Sequence, residues 1–433
     1  MKIESIEILG LWGQEKVEIN FNEEINFIIG MNGTGKTTII NIMAAALTLD
    51  LEKLIKFDFN EINFSLKSQE NRKKPRIKIS KGYVENESLI QIRYAFKKSS
   101  SDTWESYEIS PWMIDAQYSN DPTLARSLAM RKARISQHEW FNIESIKNTL
   151  ADLVSINLLS INRANNQKET RGESTRSGVE RKITDLVNDM LQHFGALEKK
   201  YNEGIIEFQK KTLLAALVPE KKESVIAISE IDLNSDREAL SKMLDLLGVD
   251  REKSRKSLNR YVNVMESTLK SVGGNNKAIT IDEIVSLYYR ERTQFLIKEY
   301  YELEEKRKEI FKKRDLFAAI INALLGNRKQ LTVSKDNNLI FTSKTGKTIK
   351  IDDLSSGEKQ LIILLGETLL QHERNVIYIA DEPELSLHVA WQDALVDAIR
   401  SLNPNVQIIF ATHSPDIVGK YQERVIDMET VLR

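Results

Sequence analysis

The stretch Gly30-Met31-Asn32-Gly33-Thr34-Gly35-Lys36-Thr37 constrains this chain more than any other, because it fits the phosphate-binding pattern G-x-x-x-x-G-K-[ST] in the setting that pattern needs. Phe27-Ile28-Ile29 before it reads as a buried strand, and Thr37 to Leu49 after it reads as a helix. In that setting the glycines let backbone N–H groups curl around phosphates at a helix N-terminus, where the dipole also favours negative charge. Lys36 is expected to reach the β and γ phosphates, and the Thr37 hydroxyl to ligate Mg²⁺. The full set expected to hold the ligand here is Gly30, Asn32, Gly33, Gly35, Lys36, Thr37 and Thr38.

The rest of the composition narrows the setting. Lys and Arg number 62 against 63 Asp and Glu, a formal net charge of -1, so a polyanion partner would need a local basic patch. The chain has no cysteine, which removes disulfides, thiolate chemistry and Cys-based zinc sites and fits a reducing cytoplasm. The N-terminus Met1 to Glu7 alternates apolar with charged residues and lacks the apolar core of a signal peptide. No apolar run is long enough for a membrane span, so a cytoplasmic protein is expected.

Ile3 to Leu9 and Val17 to Phe21 alternate with period two, and with Ile25 to Ile29 they make three strands feeding the loop. Ile62 to Leu66, Arg76 to Ser80, Leu89 to Phe96 and Ser106 to Ile109 suggest an antiparallel layer beside it. Pro122 to Arg134 and Ile143 to Leu153 read as helices, Val154 to Ile161 as a strand, and Ala164 to Gly178 as a mobile polar loop. From Val179 to Gly326 the spacing turns helical, with apolar residues three and four apart in Ile183-Leu186-Val187-Met190-Leu191 and Leu240-Met243-Leu244-Leu247. The longest helix is expected to start at the capping box Thr280-Ile281-Asp282-Glu283 and to stop at Gly326, a rod of about 65 Å at ~1.5 Å per residue. Its centre, Lys298 to Arg314, is dense in Glu, Lys and Arg and reads as a solvated arm or coiled-coil surface. A hairpin from Leu331 to Thr342 and a third strand, Thr348 to Ile351, follow.

Chemistry resumes after that hairpin. Leu354-Ser355-Ser356-Gly357-Glu358 opens a helix, and its small residues place N–H donors at a second helix N-terminus. The strand Asn375 to Ala380 delivers Asp381 and Glu382 to its carboxyl end, where open α/β sheets bind ligands. Asp381 is expected to hold Mg²⁺ beside Thr37, and Glu382 to accept a proton from an attacking water. A further strand, Val406 to Phe410, runs into Ala411-Thr412-His413, placing His413 on the same edge to contact a γ-phosphate or the water. His388 lies in the adjoining loop as a further contact, whereas His138, His193 and His372 lack such a context.

Taken together, these residues resemble the ATP-binding-cassette ATPases of the SMC, Rad50 and RecF branch. Gly30 to Thr37 matches their Walker A loop, Leu354 to Glu358 the signature with Ser356 in place of its first glycine, and Val376 to Glu382 Walker B with the catalytic glutamate. Glu384 to His388 occupies the D-loop, and His413 matches the switch histidine. The likeness is strongest to the OLD-type group, through Leu354 to Gln360 and Asp381 to His388. It implies an α/β ABC-type head, residues 1–163 and 327–433, interrupted by a helical, coiled-coil-like insertion at 164–326. It further implies ATP and Mg²⁺ as cofactors, Glu382 and His413 as catalytic residues, Thr37 and Asp381 as metal ligands, and Ser355, Ser356 and Gly357 gripping ATP from a second copy. The glutamine of the lobe-linking loop is not evident, Gln117 being the nearest candidate.

OLD nucleases continue past the switch histidine into a Toprim nuclease domain, and a chain ending at Arg433 leaves no room for it. Any cutting is therefore expected of a separately encoded effector of the nuclease class. The resemblance to the ATPase subunits of PARIS and Septu implies a homo-oligomeric sensor or scaffold in prokaryotic anti-phage defence. The alternative is a RecF-like ATPase that binds DNA directly, favoured only by eleven Lys and Arg against six Asp and Glu between Pro122 and Lys182. A transporter's nucleotide-binding subunit fits less well, since such cassettes lack the long insertion.

Overall fold

The computed structural model describes residues 1–13, 16–68, 73–83, 90–109, 137–159, 178–217, 232–272 and 280–432. Two compact units emerge: Met1–Met190 together with Leu316–Arg433, and Leu191–Asp315. In chain order, β1 (Lys2–Leu9), β2 (Lys16–Asn20) and β3 (Ile25–Ile29) lead into α1 (Lys36–Thr48) and α2 (Leu51–Lys56). Next come β4 (Glu61–Lys67), β5 (Arg76–Tyr83), β6 (Ile90–Lys97), β7 (Glu105–Ile109), α3 (Gln137–Leu153) and β8 (Ile156–Leu159). The helices α4 (Gly178–Leu217), α5 (Leu233–Leu246), α6 (Arg251–Val272) and α7 (Ile281–Leu325) follow. The chain returns through β9 (Lys329–Val333), β10 (Leu339–Ser343), β11 (Thr348–Ile349), α8 (Ser356–Leu370), β12 (Ile377–Asp381) and α9 (Val389–Leu402). It closes with β13 (Gln407–Ala411), α10 (Pro415–Val418), β14 (Val425–Asp427) and α11 (Met428–Val431).

In the first unit the two large sheets follow from two kinds of strand. The run Glu61 to Lys67 alternates, with Ile62, Phe64 and Leu66 buried and their neighbours not, and such strands build a six-stranded antiparallel sheet in the order β2-β1-β4-β5-β6-β7. The strands Ile25–Ile29, Ile377–Asp381 and Gln407–Ala411 are apolar along almost their whole length, the pattern of strands covered on both faces. They form the centre of a five-stranded sheet, β14-β3-β13-β12-β8, whose pairings are all parallel. Residues from both sheets and from α1 share one core, which includes Ile6, Ile39, Met43, Phe64, Tyr94 and Ile379.

One buried side chain ties the sheets together. Gln407, fully buried at the start of β13, accepts from Ile3 N (2.8 Å) and donates to the carbonyls of Ile3 and Asn22 (both 2.8 Å). It thereby satisfies main-chain groups of the antiparallel layer from within the parallel sheet.

The second unit is helical and packs Tyr201, Phe208, Leu240, Met243, Leu258, Tyr300, Leu303 and Phe311 into its own core. The capping box forms as the residue types require: Thr280 N donates to Glu283 Oε2 (2.8 Å) and Glu283 N to Thr280 Oγ1 (3.3 Å). The helix α7 then runs 45 residues to Leu325, with Gly326 at φ +63° beyond it. Its charged centre carries exposed pairs such as Lys298–Glu302 and Lys308–Glu305. It is not purely a solvated surface, however, because Tyr300, Leu303 and Phe311 on the same stretch are buried.

The helix expected from Ile143 begins at Gln137, and the strand expected from Val154 spans Ile156–Leu159. The helix expected at 122–134, Gln117 and all of the polar loop expected at 164–178 except Gly178, which opens α4, lie outside the described residues. Among the described residues no helix is long and apolar enough to cross a membrane.

Because Gln407→Leu strands a buried N–H and C=O of Ile3, it is expected to lower stability by about 2–4 kcal/mol. The measurement is the shift of the urea midpoint at unchanged slope; a shift within error would mean that Gln407 does not join the two sheets energetically.

Candidate active site

The phosphate loop takes its shape from glycine backbones. Gly30, Gly33 and Gly35 have φ of +148°, +87° and +85°, a region L side chains rarely adopt. Gly35 is also sterically closed, since a Cβ there would lie 1.9 Å from the Trp12 ring. As the N-cap of α1, Gly35 offers no side-chain acceptor. The first-turn N–H groups of Lys36, Thr37 and Thr38 therefore have neither an intrahelical nor a capping acceptor, as an anion site requires. Asn32 and Gly33 are exposed at the loop's tip.

Lys36 is almost buried, and its Nζ donates to the carbonyls of Gly30 (2.7 Å) and Met31 (2.9 Å). Burial pulls its ammonium below the usual lysine range, against the opposing pull of Glu382 and Asp381. Both of its hydrogen-bond partners are neutral carbonyls, so the charge stays directed at the loop.

The parallel register brings the second half of the site level with the first. Asp381 pairs with Ala411, and Ala411 with Ile28, so the carboxyl ends of β12, β13 and β3 lie side by side. Thr37 Oγ1 donates to Asp381 Oδ1 at 3.1 Å. A hydroxyl and a carboxylate oxygen at hydrogen-bond distance form the hard-oxygen pair that suits Mg²⁺, and the uncapped helix end beside them suits its phosphates. These residues fit the ion.

Glu382 turns sharply out of β12. Its φ is +50°, and its N–H donates to Ala411 O at 2.8 Å. A non-glycine residue held there costs about 1–3 kcal/mol, a cost that is characteristic of functional turns. The turn sets Glu382 Oε1 3.9 Å from His413 Nε2, with both side chains partly exposed. Lys36, Thr37, Asp381, Glu382 and His413 thus share one sheet edge.

The helix α8 begins differently from the phosphate-loop helix. Ser355 and Glu358 form a capping box: Ser355 N donates to Glu358 Oε2 (2.8 Å) and Glu358 N to Ser355 Oγ (3.3 Å). The same Oε2 takes Lys329 Nζ at 2.7 Å, and these bonds hold the Glu358 carboxyl below the usual carboxylate range although desolvation, the largest influence, pushes the other way. The cap uses the Ser355 and Glu358 N–H groups, which leaves those of Ser356 and Gly357 as the first-turn donors. Ser355 and Ser356 are exposed, while Gly357 is buried so tightly that a Cβ would meet Ser386 O at 2.3 Å. His388, expected as a further ligand contact, caps α9, its Nδ1 accepting from Ala390 N at 3.3 Å.

Several contacts at this edge carried no signal in the sequence. Trp12, at φ +53° and 46% exposed, lies against Gly35. Gln360, buried on α8, donates to Pro383 O at 2.8 Å and so fixes the turn after Glu382. Glu384 binds the turn that carries His413. The spacing of Gln360 from Gly357 hinted at one face of a helix, but the partner carbonyl is visible only in three dimensions.

The AAA_15 family, described as an AAA ATPase domain, matches residues 1–418. The chain belongs to this family. As an AAA_15 protein it is an ATPase. Among individual proteins, the "Retron Vc95 probable ATPase" of Vibrio cholerae serotype O1 biovar El Tor is 31% identical over 130 residues, covering 27% of this chain and 25% of that protein. The matched stretch is thus about a quarter of that relative's length. Solved structures that align include an Smc head domain with an extended coiled coil bound to the C-terminal domain of ScpA, derived from Pyrococcus furiosus, at 15% identity. That alignment covers 98% of this chain and 93% of the other at a TM-score of 0.39. An Smc head domain with a coiled coil and joint from Pyrococcus yayanosii gives 16% identity, 98% and 94% coverage and a TM-score of 0.38.

In this AAA_15 ATPase, Gly35→Ala is expected to weaken nucleotide binding, because it strains the loop's φ and displaces the half-exposed Trp12 ring. Lys36→Ala is expected to weaken ATP affinity by at least about tenfold, the loss of one charge-assisted contact of ~1.5–3 kcal/mol. Equilibrium binding of a fluorescent ATP analogue measures both, and wild-type affinity in either variant would remove the loop from the site.

Proposed function

We propose that this AAA_15 ATPase pairs its heads around ATP and serves as the sensor or scaffold subunit of a prokaryotic anti-phage defence system, controlling a separately encoded effector of the nuclease class. The observation that carries the hydrolytic part is the shared edge itself, where Thr37 meets Asp381 and Glu382 faces His413. The relative named as a retron's probable ATPase supports the defence setting.

In the proposed mechanism the N–H groups of Lys36, Thr37 and Thr38 and the Lys36 ammonium bind the phosphates of ATP. Thr37 and Asp381 would hold Mg²⁺, which would supply neutralising charge to the phosphates. Glu382 accepts a proton from the attacking water, and His413 orients that water or the γ-phosphate. Donors fixed in advance stabilise charge as it develops, with little reorganisation at the moment of reaction. The exposed first turn of α8, with Ser355, Ser356 and Gly357, closes on the nucleotide of a second copy, so ATP bridges two heads and its hydrolysis releases them. In this scheme residues 1–163 and 327–433 form the head and 164–326 the insertion through which movement reaches the effector.

Glu382→Gln is expected to slow phosphate release by at least about 10²-fold while ATP binding persists and the ATP-bound assembly accumulates. Steady-state turnover and mass photometry read these together, and unchanged turnover would sink the assignment. Ser356→Arg is expected to block hydrolysis and spare binding of ATP to the single head; loss of binding as well would show that α8 serves its own chain's nucleotide. Purification from the native host tests the setting: a co-purifying nuclease supports it, and recovery with DNA-repair factors alone refutes it.

A further inference from the structure

Beside the catalytic edge lies a carboxylate that the mechanism does not use. Glu384 follows Glu382 by two residues, is 9% exposed, and sits on the turn whose Pro383 carbonyl is held by Gln360. Its Oε1 gathers three donors from the segment after β13: the Thr412 hydroxyl, His413 N (3.1 Å) and Ser414 N (3.2 Å). Ser414 N also reaches Thr412 Oγ1 at 2.9 Å, so the three residues are drawn around a single oxygen.

The far side of that segment is held as well. Ser414 Oγ donates to Gln392 Oε1 at 2.6 Å, and Gln392 Nε2 donates to Leu387 O at 3.0 Å. The loop carrying Glu382 and the loop carrying His413 are therefore bound to each other by side chains that reach neither reacting group. Glu384 Oε2, in contrast, is buried without a hydrogen bond among the described residues. An unpaired buried carboxylate oxygen is destabilising, so stability alone does not explain a glutamate here.

Two successive N–H groups converging on one acceptor fix the planes of both peptides, and with them the direction in which the His413 side chain leaves the main chain. We propose that Glu384 is a positioning residue for ATP hydrolysis, which aims His413 at the reacting centre by clamping its main chain from the loop that also carries Glu382. Glu384 does this without contacting nucleotide. This inference rests on the hydrolytic reading of Glu382 and His413 given above.

Glu384→Ala removes the clamp, whereas Glu384→Gln keeps a carbonyl oxygen for the same donors. Expected for Glu384→Ala is a fall in kcat of about 10²-fold, the effect of a small misplacement at the reacting centre, with affinity for a fluorescent ATP analogue held within about twofold. Glu384→Gln is expected to recover most of that loss, and it carries the test if the alanine variant fails to fold. The deciding measurement is a double-mutant cycle in the full chain. If Glu384 acts through His413, then adding Glu384→Ala to His413→Ala lowers kcat no further. Additive losses, or nucleotide affinity falling in parallel with kcat, would overturn the positioning role. Glu382→Gln serves as the control: if it leaves turnover intact, the hydrolytic reading itself fails. If it abolishes turnover while Glu384→Ala leaves kcat unchanged, only the positioning role fails.

Discussion

The hydrogen bond from Thr37 to Asp381 joins residues 344 apart in sequence, and the candidate site depends on it. It forms because β3, β13 and β12 run parallel in one sheet and end at the same level. Parallel strands cannot be linked by tight turns, so the connection between the two halves must be long. Here that connection contains the helical unit Leu191–Asp315. A site assembled from the two ends of such a connection exists only when both ends have folded onto the same sheet. The tie made by Gln407 between β13 and the N-terminal layer serves the same end.

Three kinds of strain and closeness mark this edge. Gly30, Gly33 and Gly35 hold backbone angles that favour glycine, Glu382 holds one without being glycine, and Gly357 lets the Ser386 carbonyl approach where no side chain would fit. All belong to the phosphate loop, to α8 or to the turn after β12. In the interiors of α7 and of the strands of the six-stranded sheet, propensity and packing agree. Positive φ also occurs away from this edge, at Leu49, Asn337, His372 and Glu373, so it is the convergence of such positions with donors and carboxylates that marks the candidate site.

That division explains what could be read from the sequence. The bounds of α7 were legible because a capping box and a terminal glycine are local chemistry, and each residue acts on neighbours within one turn. Walker-type residues were legible because their spacing encodes a mechanism: Gly30 to Thr37 must be contiguous to form a loop, and Asp381 and Glu382 must follow an apolar strand. Gln407 carried no motif, and although Gln360 and Glu384 lay inside motif stretches, the contacts of all three were not legible. Each is a common residue type whose meaning lies in a partner carbonyl or N–H contributed by another strand or loop. The capping role of His388 was hidden for a complementary reason, since nothing in the sequence beside an acidic turn shows that the ring accepts from Ala390 N. The buried face of α7's charged centre was hidden because Tyr300, Leu303 and Phe311 are too widely spaced within the Glu and Lys run to raise its average hydropathy.

The hydrogen bonds at the edge also suggest how the two composite sites of a head pair would be coupled. In the proposed pairing, α8 of one copy meets the partner's nucleotide, while Asp381, Glu382 and His413 of that same copy serve its own. Gln360 on α8 grips Pro383, and Gly357 on α8 abuts the Ser386 carbonyl, so α8 cannot shift without moving the turn between Glu382 and His388. Trp391, 3.6 Å from where a Gly357 Cβ would stand, donates to Leu324 O at 2.7 Å and brings the last turn of α7 into the same packed group. A close-packed interior transmits such a displacement rather than absorbing it. Engagement of one nucleotide by α8 would therefore be felt at the catalytic turn of the other site through direct contact, with no need for a larger rearrangement of the fold.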